Sequence, residues 1–332
     1  MNIKKTALAA GIAAALAIGM AGQANASVYA SSSLHVQDFT VGITDGFTAN
    51  PVQSFAFTAT NTATLNGVSS PTQSATCGGT LLSNTCGGTP TLDPGAANAP
   101  GSSVVRANGD FSFFGPSGNT YSNADSVILT SELGGTGDSS TAQIAESEIQ
   151  GTGDANANAE ITSNTGFVFT FLVAGSTADL TLSFNADPSL YAEINQLLFA
   201  SGSAQANINA SFSLTRGSDG GQISWSPQGS PTNNCDVEST LIGVSCTETA
   251  DSQDLNRNLA VTANPVTNHY SRAAGFTPFG VQVTGLTAGS WTLAFNAVTS
   301  SSVRTVPEPS ILALLGLAVA GMGVVGRRRK TA

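Results

Sequence analysis

Strict alternation of apolar and polar side chains over residues 204–215 constrains the fold of this chain more than any other feature. Alanine is the best helix former, but a period of two contradicts the 3.6-residue repeat of a helix. The pattern therefore predicts a β-strand with one buried face, on which small alanines let another sheet approach closely. The apolar positions are Ala204, Ala206, Ile208, Ala210, Phe212 and Leu214, and the intervening ones are Gln, Asn, Ser or Thr.

The same period recurs in the middle of the chain. Phe167, Phe169 and Phe171 share one face, and after a glycine-containing connection at 174–176 the run 180–184 alternates again. Two such runs with a short connection predict a β-hairpin that buries one face. Each buried Phe or Leu stabilises a fold by about 1.5–3 kcal/mol, so this hairpin is the predicted centre of the core.

Weaker patterns occur on both sides of this predicted hairpin in the sequence. Residues 34–43 predict a first strand pair that turns around Asp38, and residues 286–289 predict a turn before an alternating strand at 291–295. The run 189–198 fits either a helical turn or a strand. Residues 300–305 are interpreted as a short polar spacer.

Together these patterns predict an all-β body with the architecture of a β-sandwich or jelly roll. No repeat of twenty to fifty residues is present, which argues against a solenoid or propeller. Residues 68–104 are rich in Ser, Thr, Gly and Pro and predict a long loop. One large domain is favoured over two, because no linker rich in proline or charge separates the halves.

The N-terminus has the layout of a secretory signal peptide. Lys4 and Lys5 precede an apolar run at 7–20, and Ala24-Asn25-Ala26 is a cleavage site of the small-x-small type. We expect export through the Sec translocon, removal of residues 1–26 after Ala26, and a mature chain that starts at Ser27. Cleavage after Ala30 is the alternative.

Four cysteines in an exported chain predict two disulfides. Three pairings are possible, and the pairing of neighbours is favoured because each bridge then closes a short loop with turn residues at its ends. The predicted bridges are Cys77–Cys86 and Cys235–Cys246. Spacings of nine and eleven disfavour a zinc site, so neither a metal nor a cofactor is expected.

The charge of the body excludes one class of partner. Between Ser27 and Val306 there is no lysine, and five arginines face twenty acidic residues, which gives a formal charge of −15. Such a body has no cationic surface for phosphates, so nucleic-acid binding is excluded.

Three chemically different blocks follow one another at the C-terminus. Pro307 and Pro309 hold the tripeptide Pro307-Glu308-Pro309 extended. Residues 310–326 form an uncharged, mostly apolar run, which predicts a short transmembrane helix. Residues 327–330 are Arg327, Arg328, Arg329 and Lys330, a basic cluster typical of a cytoplasmic anchor.

This order resembles the PEP-CTERM sorting signal of Gram-negative bacteria, with residues 306–330 as the signal and residues 27–305 as the extracellular body. The resemblance implies an integral-membrane exosortase as partner, which cuts near the tripeptide and releases or transfers the protein outward. It implies transient residence in the inner membrane and a final place at the cell surface or in the extracellular matrix. Members of the family accompany the production of exopolysaccharide, which is therefore a further candidate partner.

Catalytic motifs are sparse, and no catalytic residue is assigned. His35 and His269 are the only histidines, and no nucleophile elbow, zinc-protease helix or P-loop is present. Glu146 and Glu148 share a strand face at about 7 Å, which suits a glycosidase pair. We interpret them instead as acids on a solvated strand face without aromatic sugar platforms nearby.

Residues 154–160 suggest a calcium loop at first sight, because acidic and amide side chains alternate there. An EF-hand needs Gly at its sixth position and Glu at its twelfth, and this chain has Ala159 and Thr165. The favoured interpretation is a strand with Ala155, Ala157, Ala159 and Ile161 inward, and calcium binding stays an alternative hypothesis.

Three functions follow in order of preference. The first is a non-catalytic structural or adhesive protein of the surface or matrix, linked to exopolysaccharide and biofilm. The second is a carbohydrate-binding adhesin, with Trp225, Tyr191 or Tyr270 as sugar platforms and Trp291 in the core. The third is a secreted polysaccharide hydrolase that uses Glu146.

Overall fold

The computed structural model describes most of the body of the chain. The described residues are 27–44, 52–80, 85–86, 91–130, 139–150, 158–195, 200–230, 232–262, 265–270 and 275–307. The predicted signal peptide, transmembrane helix and basic tail lie outside these ranges.

Every regular element in the described ranges is a β-strand, so the predicted all-β class is confirmed. The sixteen strands are β1 (Ser27–Thr44), β2 (Val52–Leu65), β3 (Val68–Ser69), β4 (Gln73–Gly79), β5 (Thr91–Leu92), β6 (Ala97–Asn98), β7 (Tyr121–Thr130), β8 (Ser139–Gln150), β9 (Asn158–Asn195), β10 (Ala200–Arg216), β11 (Gln222–Trp225), β12 (Cys235–Val237), β13 (Ser245–Asp251), β14 (Asn258–Val261), β15 (Val266–Tyr270) and β16 (Thr277–Pro307).

The two longest strands, β9 and β16, pair with each other at the centre of the sheet. The main path of the sheet runs β12-β11-β10-β16-β9-β1-β8-β7-β5. On one flank, β9 pairs with β16 and then β15, and on the other flank it pairs first with β2 and then with β1. Strand β16 in turn pairs with β13 near its start and with β10 over its last seventeen residues. Strands β9 and β16 therefore pair with different strands along different parts of their length, all within one sheet.

The sheet curls so that β1 and β8 lie against β10 and β16. The Ser32 hydroxyl donates to the Asn207 carbonyl at 2.6 Å, and the hydroxyls of Ser147 and Ser301 are 3.1 Å apart. Aromatic rings fill the space between the layers, and Phe39 of β1 lies 4.3 Å from Phe167 between ring centroids. Further members of this cluster are Phe57, Phe184, Phe212, Trp225, Phe279 and Phe295.

Three turns predicted from the sequence are bulges inside continuous strands. The predicted hairpin at 167–184 is wrong, because both runs belong to β9 and pair with β16. The turn at 286–289 interrupts the register of β16 without ending it. The predicted first strand pair is the single strand β1, in which Asp38 has φ 55° and the register shifts. In β1 and β9 the bulge moves the apolar side chains from one parity to the other, and this change resembles a turn in the sequence. In β16 there are two register shifts, between Val283 and Leu286 and between Thr287 and Gly289, and the buried apolar residues are odd-numbered on both sides.

The observed strands also test the predictions for four other segments of the chain. The alternating run 204–215 is strand β10, as predicted, and the open run 189–198 continues β9 as strand through Asn195. Residues 68–104 are not all loop, because β3 to β6 lie within them. The polar spacer at 300–305 is wrong: these residues extend β16, and Ser301 and Val303 are fully buried.

Both predicted disulfides are present. Cys77 of β4 bridges to Cys86, and Cys235 of β12 bridges to Cys246 of β13. The second bridge therefore joins two strands that pair with different members of the main path, β11 and β16.

Candidate functional site

Glu146 and Glu148 lie on one face of β8, as their spacing predicts, but that face is not solvated. Both side chains are completely buried, and the neighbouring positions in the register are Tyr121 and Asn123 of β7 and Tyr29 of β1. The interpretation of a solvated acid pair is therefore wrong. A segment that is distant in sequence covers this face, and strand periodicity does not reveal such a cover.

We call this segment, residues 106–118 between β6 and β7, the cover loop. Its Arg106 side chain is 1% exposed and forms an ion pair with Glu146. The guanidinium also donates to Asn123 Oδ1 at 3.1 Å and to the Ser112 carbonyl at 3.0 Å, and it stacks on the Phe114 ring at 4.0 Å. One cation thus ties the cover loop to two strands of the sheet.

The remaining acceptors of the two carboxylates are used as well. Glu146 accepts from the Tyr29 hydroxyl at 2.6 Å and from the Phe114 amide at 3.2 Å. Glu148 accepts from the amides of Ser117 and Gly118 at 2.9 and 2.8 Å and from the Ser117 hydroxyl. Each buried acid is therefore held by donors, as a buried charge must be to offset its desolvation.

Burial acts on the carboxyl groups of Glu146 and Asp125 in this cluster. It raises the pKa of Glu146, while the Arg106 guanidinium opposes that shift. Burial also raises the pKa of Asp125, on the same face of β7, to about 6, although the amides of Gly109 and Ser126 donate to its carboxylate. A raised pKa is common at acid–base sites, but these carboxylates face protein donors and not an opening. The arrangement locks the cover loop and does not present an accessible pair for hydrolysis.

The aromatic residues predicted as sugar platforms differ in how far they are buried. Trp225 is 2% exposed and donates its indole N–H to Glu248 at 2.6 Å, so it cannot stack on a sugar, and Trp291 lies in the core as predicted. Tyr191 is half-buried against Tyr29 and Phe113, with ring centroids 5.5 and 5.6 Å away. Aromatic rings do surround the acid pair, contrary to the prediction, but they pack on one another.

The two histidines and the segment considered as a calcium loop are candidates for metal or catalytic sites. His35 is half-buried in β1 beside Phe111, and burial lowers its pKa, whereas His269 is exposed in β15. Residues 154–157 lie outside the described residues. Among the residues that the structure describes, no three His, Cys, Asp or Glu side chains are placed to hold a metal ion together.

A broad outer face has neutral outward-facing side chains on three of its strands, β2, β16 and β10, with β9 lying between β2 and β16. It is formed by the outward-facing residues of β2, β16 and β10 over 54–64, 292–302 and 205–215. Neighbours across it bond to each other, as where Asn207 donates to the Ser300 hydroxyl at 3.2 Å. Its exposed or half-buried members are Ser54, Ala56, Thr58, Thr60, Thr62, Thr64, Gln205, Asn207, Asn209, Ser211, Ser213, Thr215, Thr292, Ala294, Asn296, Val298, Ser300 and Ser302.

The folded body continues into the predicted sorting tripeptide. Strand β16 ends at Pro307, which pairs with Ala200 of β10, while Thr305 pairs with Gly202 and is 4% exposed. Ala26, Glu308, Pro309 and residues 327–329 lie outside the described ranges, so their roles stay predictions. Within the part of the chain that the structure describes, no helix has the length and hydropathy to cross a bilayer.

Comparison with known families identifies the C-terminal tail alone. Residues 305–330 match the PEP-CTERM protein-sorting motif, which confirms the resemblance seen in the sequence. This motif indicates an exported protein that exosortase recognises and sorts to the cell surface. No protein of curated function matches the chain.

Solved structures with weak similarity include those of two strains of infectious bursal disease virus. The Gx-strain structure is 11% identical and covers 87% of this chain and 67% of its own, with a TM-score of 0.10. The Gt-strain structure is 14% identical and covers 87% and 68%, also with a TM-score of 0.10. At these scores the likeness carries no argument about fold or function.

Proposed function

We propose that this chain is a non-catalytic protein of the cell surface or extracellular matrix, linked to exopolysaccharide and biofilm and delivered by exosortase. The observation that carries the proposal is the direct continuation of a stapled β body into the sorting motif at Thr305–Pro307. The body has no lysine and few charges, and two disulfides suit an extracellular environment.

The sealed acid pair supports a non-catalytic role. A hydrolase needs one carboxyl group at the leaving oxygen and another near the attacked carbon. Here Glu146 is neutralised by Arg106, and Glu148 is held by the cover loop. Glu146 and Glu148 are therefore not free to act on a substrate, which argues against the hydrolase hypothesis.

Sorting is tested by substituting the acid of the tripeptide. We expect Glu308→Ala, or deletion of the exosortase, to leave the full-length chain in the inner membrane, as seen by fractionation and immunoblotting. Asp236→Ala is the matched control, because this acid is exposed in β12. Release of the Glu308→Ala protein at the wild-type level would refute exosortase sorting.

A carbohydrate-binding adhesin is the second candidate, and the outer face is the observation that favours it. Hydroxyl and carboxamide groups can bond a neutral polysaccharide, and the formal charge of −15 repels an anionic one. Glycan-array binding by the mature protein that is lost in Ser211→Lys and Asn296→Lys would support this role. Ile242→Lys is the control, because Ile242 is 87% exposed and lies outside this face.

A further inference from the structure

The chain contains two Asn-Gly pairs, Asn66-Gly67 and Asn108-Gly109. In such a pair the backbone nitrogen of the glycine can attack the side-chain carboxamide of the asparagine and release ammonia. Glycine favours this reaction because it has no Cβ to hinder the approach and its backbone adopts many conformations. The structure places the two pairs in different environments, and the difference predicts which asparagine reacts.

The first pair forms the two-residue loop between β2 and β3. Leu65 pairs with Val68 on either side of it, and Asn66 and Gly67 have φ 51° and 77°, as in the type I′ turn that Asn-Gly favours. Both residues are exposed, and a Cβ added at Gly67 would meet no other part of the chain within 4 Å. Strand β3 has only two residues, so the tip of this hairpin opens at low free-energy cost. The attacking nitrogen and the carboxamide are therefore both accessible.

The second pair lies in the cover loop and is held at both reacting groups. The Asn108 carboxamide donates to Asp93 Oδ2 at 2.7 Å, and the Gly109 amide donates to Asp125 Oδ2 at 2.8 Å. Asn108 and Gly109 are also exposed, and Gly109 has a φ of 75°. The two glycines thus share exposure and backbone conformation, but attack on Asn108 requires two hydrogen bonds to open.

We propose that Asn66 is a site of spontaneous modification, at which the folded protein converts to aspartyl and isoaspartyl forms. In the first step the Gly67 nitrogen bonds to Cγ of Asn66, the Cγ–Nδ2 bond breaks, and Nδ2 leaves as ammonia with the proton of the Gly67 amide. The product is a cyclic imide.

Water completes the conversion. Its oxygen bonds to one of the two carbonyl carbons of the imide, the bond from that carbon to the Gly67 nitrogen breaks, and a water proton passes to the nitrogen. Opening at Cγ gives aspartate, whereas opening at the backbone carbon of residue 66 gives isoaspartate.

Either product changes the end of this hairpin. A carboxylate replaces a neutral carboxamide directly after Thr64 and Leu65, where the outer face ends on β2. In isoaspartate the main chain runs through Cβ and is one atom longer, so the pairing of Leu65 with Val68 must change. Leu65 is 3% exposed, and the change therefore reaches the edge of the core. This inference is independent of exosortase sorting and of glycan binding.

The test follows both asparagines in the same sample. The folded protein, purified from the producing cells, is kept in neutral buffer, and aliquots are reduced, digested in acid to stop the reaction and analysed by tandem mass spectrometry. Each hydrogen bond to a carboxylate that must open slows the attack about tenfold. We therefore expect Asn66 to convert at least about ten times faster than Asn108.

The same chain, reduced and unfolded in urea, is the control for the effect of sequence. Without the fold, the two pairs should convert at similar rates. An Asn66 that stays intact in the folded protein while the unfolded chain converts would overturn the inference, and so would equal rates at Asn66 and Asn108 in the folded protein.

Two variants test the cause. Asp93→Ala releases the Asn108 carboxamide and should speed conversion there about tenfold without changing the rate at Asn66, and an unchanged Asn108 rate would contradict the explanation. Asn66→Gly keeps a residue that tolerates positive φ and removes the reacting amide. The acidic forms that accumulate with age on isoelectric focusing should disappear in this variant, and their persistence at the wild-type level would place the main modification elsewhere.

Discussion

Arg106→Met is the substitution that most sharply tests the role of the buried ion pair. It removes the cation from Glu146 in a place where neither side chain is exposed. Breaking a buried pair on one side costs about 3–5 kcal/mol, because the remaining charge is left uncompensated. The lost hydrogen bonds to Asn123 and to the Ser112 carbonyl add about 1 kcal/mol each. We therefore expect a loss of at least about 5 kcal/mol in the free energy of unfolding.

The assay is equilibrium unfolding of the mature protein in urea, with Arg257→Met as the matched control. The Arg257–Asp254 pair is longer, at 3.7 Å, and half of the Arg257 side chain is exposed, at 49%. Such a pair contributes about 0–1 kcal/mol. The double variant Arg106→Met/Glu146→Leu should lose clearly less than the sum of the two single losses, since no buried charge remains unpaired. Equal small losses for Arg106→Met and Arg257→Met would refute the reasoning.

Three further predictions concern the acids and the core. Asp125 has a folded pKa of about 6 against an ordinary aspartate value of 3.8, so the stability it contributes is complete below about pH 4 and is lost as the pH rises through 6. The loss is at most about 3 kcal/mol. The urea midpoints of Asp125→Asn should therefore vary less with pH than those of the wild type, and an unchanged pH dependence would contradict this. Trp225→Phe should cost about 1.5–3 kcal/mol by leaving Glu248 without its indole donor, yet leave glycan binding unchanged in the array assay. Phe212→Ala, in the aromatic cluster, should cost about 3–5 kcal/mol in urea unfolding, and a loss under about 1 kcal/mol would place this ring outside the core.

The sequence predicts the strands best where one face is uniformly apolar. In β10 six even-numbered side chains from Ala204 to Leu214 are buried, and the odd-numbered ones face outward. The disulfide pairing was predictable for a local reason, since short loops with turn residues bring neighbouring cysteines together. Both predictions depend on residues that are close in the chain.

The bulges could not be told from turns by the same means. A bulge and a turn both shift the parity of the apolar residues, and both use residues such as Asp38 or glycine that tolerate positive φ. The difference lies in the partner strand, because β9 and β16 run alongside each other through both irregular regions. A single sequence does not show which strands pair.

The buried acids were missed because their cover comes from a distant segment. The spacing of Glu146 and Glu148 correctly places them on one face, but the cover loop that buries them begins forty residues earlier, at Arg106. One signal was present in the composition. In a body with only five arginines, a lone arginine in a loop rich in aromatic residues is a candidate partner for a buried acid.

The central claim is that this chain is delivered to the cell surface and loses its C-terminal tail during sorting. The mass of the intact protein recovered from the cell surface tests it most directly. We predict a chain that begins at Ser27 and lacks the apolar run and basic cluster of residues 310–330. A surface protein that still carries Arg327, Arg328 and Arg329 would contradict it.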